Sequence, residues 1–139
     1  MPAIYEHHHV VLDAEIDDQG HVNNVEYLRW MNRAAVDHST AQGWPPQRYL
    51  ESGGGWVVRT HRIDYLLPAF AGDEIVIRTW VGNFTKATSI RRYHIIRPRD
   101  GATLAKAETN WAFISLEHRV PRRIPPELAD AFEQVDEGS

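Results

Sequence analysis

The chain contains no cysteine. That excludes a thiolate nucleophile, disulfide staples and cysteine metal sites together. Lysine is scarce as well: thirteen of the fifteen basic residues are arginine. Arginine suits phosphate and carboxylate recognition, although a compositional bias of the genome explains the same ratio. Positive charge is in deficit overall, with a formal net charge of -4, which argues against a general nucleic-acid binder. No apolar stretch approaches membrane-spanning length. Met1-Pro2-Ala3-Ile4 lacks the basic start and apolar run of a signal peptide. The expectation is a cytoplasmic protein with neither nucleic acid nor membrane as partner. Repeats, low-complexity tracts and linkers are also missing, so residues 1–139 are expected to form a single domain. With 42% hydrophobic and 24% charged residues, it has the profile of a soluble globular protein with a buried core.

Residues 4 to 12 alternate loosely and suit a strand, and Asp17-Asp18-Gln19-Gly20 is turn-like. A helix is predicted from Asn23 or Asn24, with Asn23 as its cap and Glu26 completing a capping box. Val25, Leu28, Met31, Ala35 and His38 fall on one face of it. Gly43-Trp44-Pro45-Pro46 stops it, and residues 45 to 55 read as a loop. Four strand-like runs follow, at about 56–67, 73–84, 87–98 and 102–116, with short breaks that imply antiparallel pairing. A last short helix is predicted over 126–134, and the acidic tail from Glu127 to Glu137 as solvated. The order is that of an α+β fold, a sheet with helix on one face. Strands of this length span about 40 Å, enough to curl around the whole helix. Apolar residues on both alternations of the last strand imply further burial, most simply by self-association.

The chemically informative stretch is Glu15-Ile16-Asp17-Asp18-Gln19-Gly20-His21-Val22-Asn23-Asn24-Val25-Glu26-Tyr27. It sets a carboxylate, a glycine, an imidazole and two amides just ahead of a helix N-terminus. Unpaired N–H groups and the helix dipole there can polarise a thioester carbonyl and stabilise an oxyanion. A nearby carboxylate can activate water, or attack directly to form an anhydride. Gly20 removes side-chain bulk where an acyl group would approach the backbone.

This segment resembles the signature of the 4-hydroxybenzoyl-CoA thioesterase-like hotdog family, and the matching segment of plant acyl-ACP thioesterases. Ile63-Asp64-Tyr65-Leu66-Leu67-Pro68-Ala69 with Gly72-Asp73, and Asn110-Trp111-Ala112-Phe113-Ile114-Ser115-Leu116 with Arg123-Ile124-Pro125, are similar to later parts of the same family. The resemblance spans nearly the whole chain. It implies a hotdog fold, an antiparallel sheet curled around one long central helix, and hydrolysis of an acyl-CoA or acyl carrier protein thioester. It places Asp17 as catalytic carboxylate, His21 as a base in some members, and Asn24 where a helix-start N–H meets the thioester oxygen. Gly20, Asn23 and Tyr27 match positions that shape the substrate-binding turn. Lys86, Arg91, Arg92, Arg97 and Arg99 cluster around one hairpin. The family often holds coenzyme A phosphates with basic residues of late strands, which makes Arg91 and Arg92 candidates for substrate binding, although a solvent-facing strand surface is the better account of any single one. The family works as a dimer or a dimer of dimers with sites between subunits. Coenzyme A is part of the substrate, and no separate cofactor is implied. Glu15 replaces the commoner aspartate, Asp18 adds a second carboxylate, and Glu51 and Asp64 are weak stand-ins for the glutamate some subfamilies use.

The residues themselves leave alternatives open. Asp17 reads as base, nucleophile or turn residue, and His21 equally as base or as a structural histidine. Asn23 is better explained by capping, and Tyr27 by packing. His7-His8-His9 invites a metal reading, but strand alternation separates His8 from the other two and no third ligand is evident. Trp30, Trp44, Trp56 and Phe84 are candidates to narrow an acyl pocket. An enoyl-thioester hydratase is one rival on the same scaffold. Its Asp-x-Asn-Pro-x-His pattern differs from the four-residue spacing of Asp17 and His21. A non-catalytic acyl-CoA-binding protein is the other.

Overall fold

A computed structural model describes residues 3–135; the last acidic residues of the tail, from 136 on, lie outside them. Strand β1 (Tyr5–Val10) leads through a 3-10 turn (Asp13–Glu15) to the long helix α1 (Asn24–Ala41). A short helix α2 (Pro46–Ser52) precedes four strands: β2 (Gly54–Tyr65), β3 (Glu74–Phe84), β4 (Thr88–Arg97) and β5 (Ala102–Ser115). Helix α3 (Pro126–Asp130) closes the described chain. The strands form one sheet in the order β1-β3-β4-β5-β2, antiparallel throughout.

Four expectations need correction in detail. Residues 45 to 55, read as a loop, contain α2. Pro46 pre-sets its first turn, and Gly53, at φ 77, ends it in the left-handed conformation. The last helix is shorter than predicted, ending at Asp130.

The buried face of α1 is Tyr27, Trp30, Met31, Ala34 and His38, rotated from the predicted stripe. Val25 is exposed, and Leu28 and Ala35 are only partly buried. The aromatic pair Tyr27 and Trp30 carries more apolar area than the aliphatics it displaces, so burying it wins the helix orientation. Tyr27, Trp30, Met31 and Ala34 cluster with Ile75, Ile77, Tyr93, Ile95 and Leu104 from the sheet. A second cluster, with Trp44, Val81, Phe113, Leu128 and Phe132, fills the space at the far end of α1.

The predicted capping box is also not formed. Asn23 caps α1, its Oδ1 accepting from Val25 N–H at 3.0 Å. Its own N–H donates to the Glu15 carbonyl at 2.9 Å, which removes the donor that Glu26 would have engaged.

The sheet has two edges, β1 and β2. Among the described residues, strand β2 pairs only with β5. Its other edge is open along a twelve-residue strand, with Val57 38% and Val58 40% exposed. Among the described residues, no helix is long and apolar enough to cross a membrane.

Candidate active site

The Asp17 motif folds into a tight loop before α1. Asp17 N–H donates to the His21 carbonyl at 2.9 Å, and Gly20 N–H to the Asp17 carbonyl at 3.0 Å. The turn places Gly20 at φ 85, a conformation that favours glycine. Val22 N–H reaches across to the carbonyl of Ala69. The Pro68-Ala69 turn singled out in the sequence therefore anchors the loop rather than entering it.

Asp17 Oδ1 accepts from Gln19 N–H at 2.8 Å, and Oδ2 lies 3.8 Å from His21 Nδ1. The carboxylate is thus oriented through one oxygen and presents the other to the His21 ring; its side chain is 28% exposed. His21 Nδ1 is 3.3 Å from the Val22 carbonyl. A carbonyl can only accept, so Nδ1 carries the proton and Nε2 has the lone pair when the ring is neutral. Asp18 is exposed, and Asp64 lies on β2, beside Arg62 at 3.8 Å.

Asn24 is the first residue of α1. Val25 and Glu26 N–H groups are already taken by Asn23. The N–H of Asn24 has no acceptor within the helix and sits at its positive end. Tyr65 Oη donates to the Asn24 carbonyl at 3.3 Å, and Tyr27, fully inside, meets the Tyr65 ring edge-on at 5.1 Å. Asp17, Gly20, His21, Asn23 and Asn24 are thus gathered at one helix start, with Tyr27 as their packed floor.

Glu15 has a larger part than the sequence revealed. Its Oε1 accepts from Leu12 N–H and pairs with His9 Nε2, both at 2.8 Å, and Oε2 accepts from Trp30 Nε1 at 2.8 Å. One carboxylate so ties β1, the loop and α1 together. Burial alone would push this carboxyl up; hydrogen bonds from Leu12, His9 and Trp30 outweigh it and hold the group below its ordinary value.

The basic residues do not act as one patch. Arg92 reaches Glu108 at 3.1 Å. Arg97 lies between Asp73 and Asp100, at 3.3 and 2.9 Å. Arg91, one residue from Arg92 and so on the opposite face of β4, points inward and is 6% exposed. It lines a second feature, a cavity of about 410 Å³ at the far end of α1. Trp44, Tyr49, Trp56, Phe84 and Phe132 make most of its aromatic wall. Three of the four aromatics expected at a pocket are there; Trp30 belongs to the core instead. Among the described residues, no group of three or more histidine, aspartate or glutamate side chains could hold a metal ion. His7 faces Asp37 at 3.1 Å and His9 faces Glu15, while His8 is exposed.

A five-stranded antiparallel sheet wrapped on one long helix is the hotdog fold, and the relatives it matches mark the chain as a thioester hydrolase. Residues 11–132 match the Thioesterase-like superfamily, and the chain belongs to that family. The acyl-CoA thioesterase YbgC of Haemophilus influenzae is 27% identical over 122 residues, 87% of this chain and 88% of that one. Among solved structures, a 1,4-dihydroxy-2-naphthoyl-CoA thioesterase from Synechocystis superposes with a TM-score of 0.85 at 20% identity. The match covers 92% of this chain and 94% of that one. A Staphylococcus aureus protein solved in complex with CoA gives a TM-score of 0.86 at 13% identity, over 92% of this chain and 80% of that one. At such identities the two structures speak for the fold alone.

Proposed function

We propose that the protein is an acyl-CoA thioesterase. In this reading water adds to the thioester carbonyl, the C–S bond breaks, and free acid and coenzyme A thiol leave. The observation that carries it is the pairing, at one helix start, of the Asp17 carboxylate with the unspent N–H of Asn24. The carbonyl oxygen would accept from Asn24 N–H, where negative charge develops in the transition state. Asp17 would take the proton of the attacking water, or add to the carbonyl itself, expel the thiolate and form an enzyme-bound anhydride that water then cleaves to free acid and the restored carboxylate. His21, with Nε2 free to accept, is placed to share proton transfer.

The acyl cavity lies too far away to serve the Asp17 of its own chain. Asn24 and Ala35, the nearest α1 residue in the cavity wall, are separated by about 17 Å of helix. Strand β2 supplies the geometry that joins them. Its Tyr65 end touches the helix start through Asn24, and its Gly54-Gly55-Trp56 end lines the cavity. A long open edge with exposed apolar residues is a template for pairing. If two copies pair β2 antiparallel across a two-fold axis, the Tyr65 end of one lies against the Gly54 end of the other. One subunit's Asp17 is then delivered to its partner's cavity, twice per dimer. A homodimer, alone or doubled into a tetramer, is therefore part of the proposal.

The test is thiol release from a panel of short, long and aromatic acyl-CoA thioesters. Asp17→Asn is expected to lower kcat by about 10²–10⁴-fold with unchanged circular dichroism. Full activity in a folded Asp17→Asn protein would refute the mechanism. Absence of turnover on every CoA thioester, with turnover of carrier-protein thioesters, would reassign the substrate carrier.

A further inference from the structure

The cavity at the end of α1 has one charged side chain in its described wall, and that side chain is Arg91. Its serine hydroxyls are already engaged. Ser89 Oγ donates to the Asn83 carbonyl at 2.8 Å. Ser39 Oγ meets both the Trp44 carbonyl and Tyr49 Oη at 2.8 Å. Arg91 differs. Its Nη1 donates to His38 Nδ1 and to Thr79 Oγ1, both at 3.0 Å. Because a guanidinium cannot accept, His38 presents a lone pair and is held as the neutral Nε2–H tautomer. Thr79 Oγ1 in turn donates to the Arg92 carbonyl.

Both partners are therefore neutral, and among the described residues no carboxylate pairs with Arg91. Nε–H and Nη2 have no protein acceptor there. A guanidinium stays charged in proteins, and burial works against that charge. The Phe132 ring, 5.8 Å from the Arg91 Cζ, offers only a weak cation–π contact, and a buried cation with no carboxylate partner is costly. It is oriented by fixed neighbours, and the spare side of its fork matches a carboxylate.

We propose that Arg91 selects acyl groups that end in a carboxylate, so that the cavity takes the distal end of an ω-carboxyacyl thioester. This rests on the thioesterase reading and names its substrate class. The aromatic walls would bury the methylene chain or ring between the two ends, and the distal carboxylate would complete the guanidinium's coordination as it leaves water. A neutral acyl chain of the same length would leave the cation as it is.

The experiment compares suberoyl-CoA with octanoyl-CoA, which share chain length and differ in the terminal group. Calorimetric binding of free suberate and octanoate is measured beside it and needs no turnover. For the wild type, kcat/KM is expected to favour suberoyl-CoA on the order of tenfold to a hundredfold, and suberate to bind more tightly than octanoate by a similar factor. In Arg91→Met the preference is expected to vanish or reverse, and Arg91→Lys to restore part of it. The wild-type ratio stands even if a variant fails to fold. A wild type that prefers octanoyl-CoA and octanoate overturns the proposal, as does a suberate preference that survives in folded Arg91→Met. Arg91-dependent suberate binding without hydrolysis of these thioesters as either CoA or carrier-protein conjugates would instead refute the thioesterase reading and leave the carboxylate site standing.

Discussion

Glu15 shows how much can hang on one carboxylate. Three donors converge on it from three segments. Glu15→Gln keeps the shape but puts an NH2 group against either Leu12 N–H or Trp30 Nε1–H, so one donor always faces a donor. The expected loss is about 1–3 kcal/mol, read as a lower urea midpoint. The carboxyl is depressed in the folded state. Its contribution is therefore complete above the ordinary carboxyl value and is lost as pH falls through the folded value. Below about pH 4.5, the reference for this group, the wild type should lose stability more steeply than Glu15→Gln, and the two curves should converge. Parallel acid melts of the two proteins check this. In the sequence Glu15 read only as a replacement for a commoner aspartate. Its partners His9 and Trp30 lie six and fifteen residues away, beyond any local pattern.

At the scale of elements, the helix start is the part built most locally. Asn23→Ala removes the Oδ1 that holds Val25 N–H and is expected to cost about 1 kcal/mol, with a larger fractional loss of kcat because the Asn24 N–H loses its fixed direction. Thermal melts and steady-state rates would separate the two effects. Such features were legible in the sequence because they depend on neighbours within a turn: the Asn23 cap, the Gly20 turn and the four late strands all lie where the pattern put them. The core face of α1 was not legible, since Val25-Leu28-Met31-Ala35 and Tyr27-Trp30-Met31-Ala34 are both acceptable helical stripes. Only the sheet decides, by offering a surface that fits two aromatics. Helix α2 was hidden because Pro45-Pro46 reads as a helix stop and serves equally as a helix start. Arg91 was grouped with Arg92 by adjacency, although alternation along a strand sends the two to opposite faces. Nothing short of the curled sheet shows that the inward face ends in a cavity.

On the whole-molecule scale, the separation of the two ends of α1 has a genetic consequence. If Asp17 serves the cavity of the opposite subunit, two kinds of crippled protein should rescue each other. Asp17→Asn leaves the cavity intact, and a cavity-filling Ala35→Trp leaves the aspartate intact. Each alone should be nearly inactive. Dissociated, mixed in equal amounts and reassociated at random, they should recover about a quarter of wild-type activity, since half the dimers are mixed and each carries one whole site. Sites complete within one chain would give no recovery at all. In a cell carrying two alleles, such damage would then behave as recessive and mutually complementing, and the unit on which selection acts would be the pair of chains.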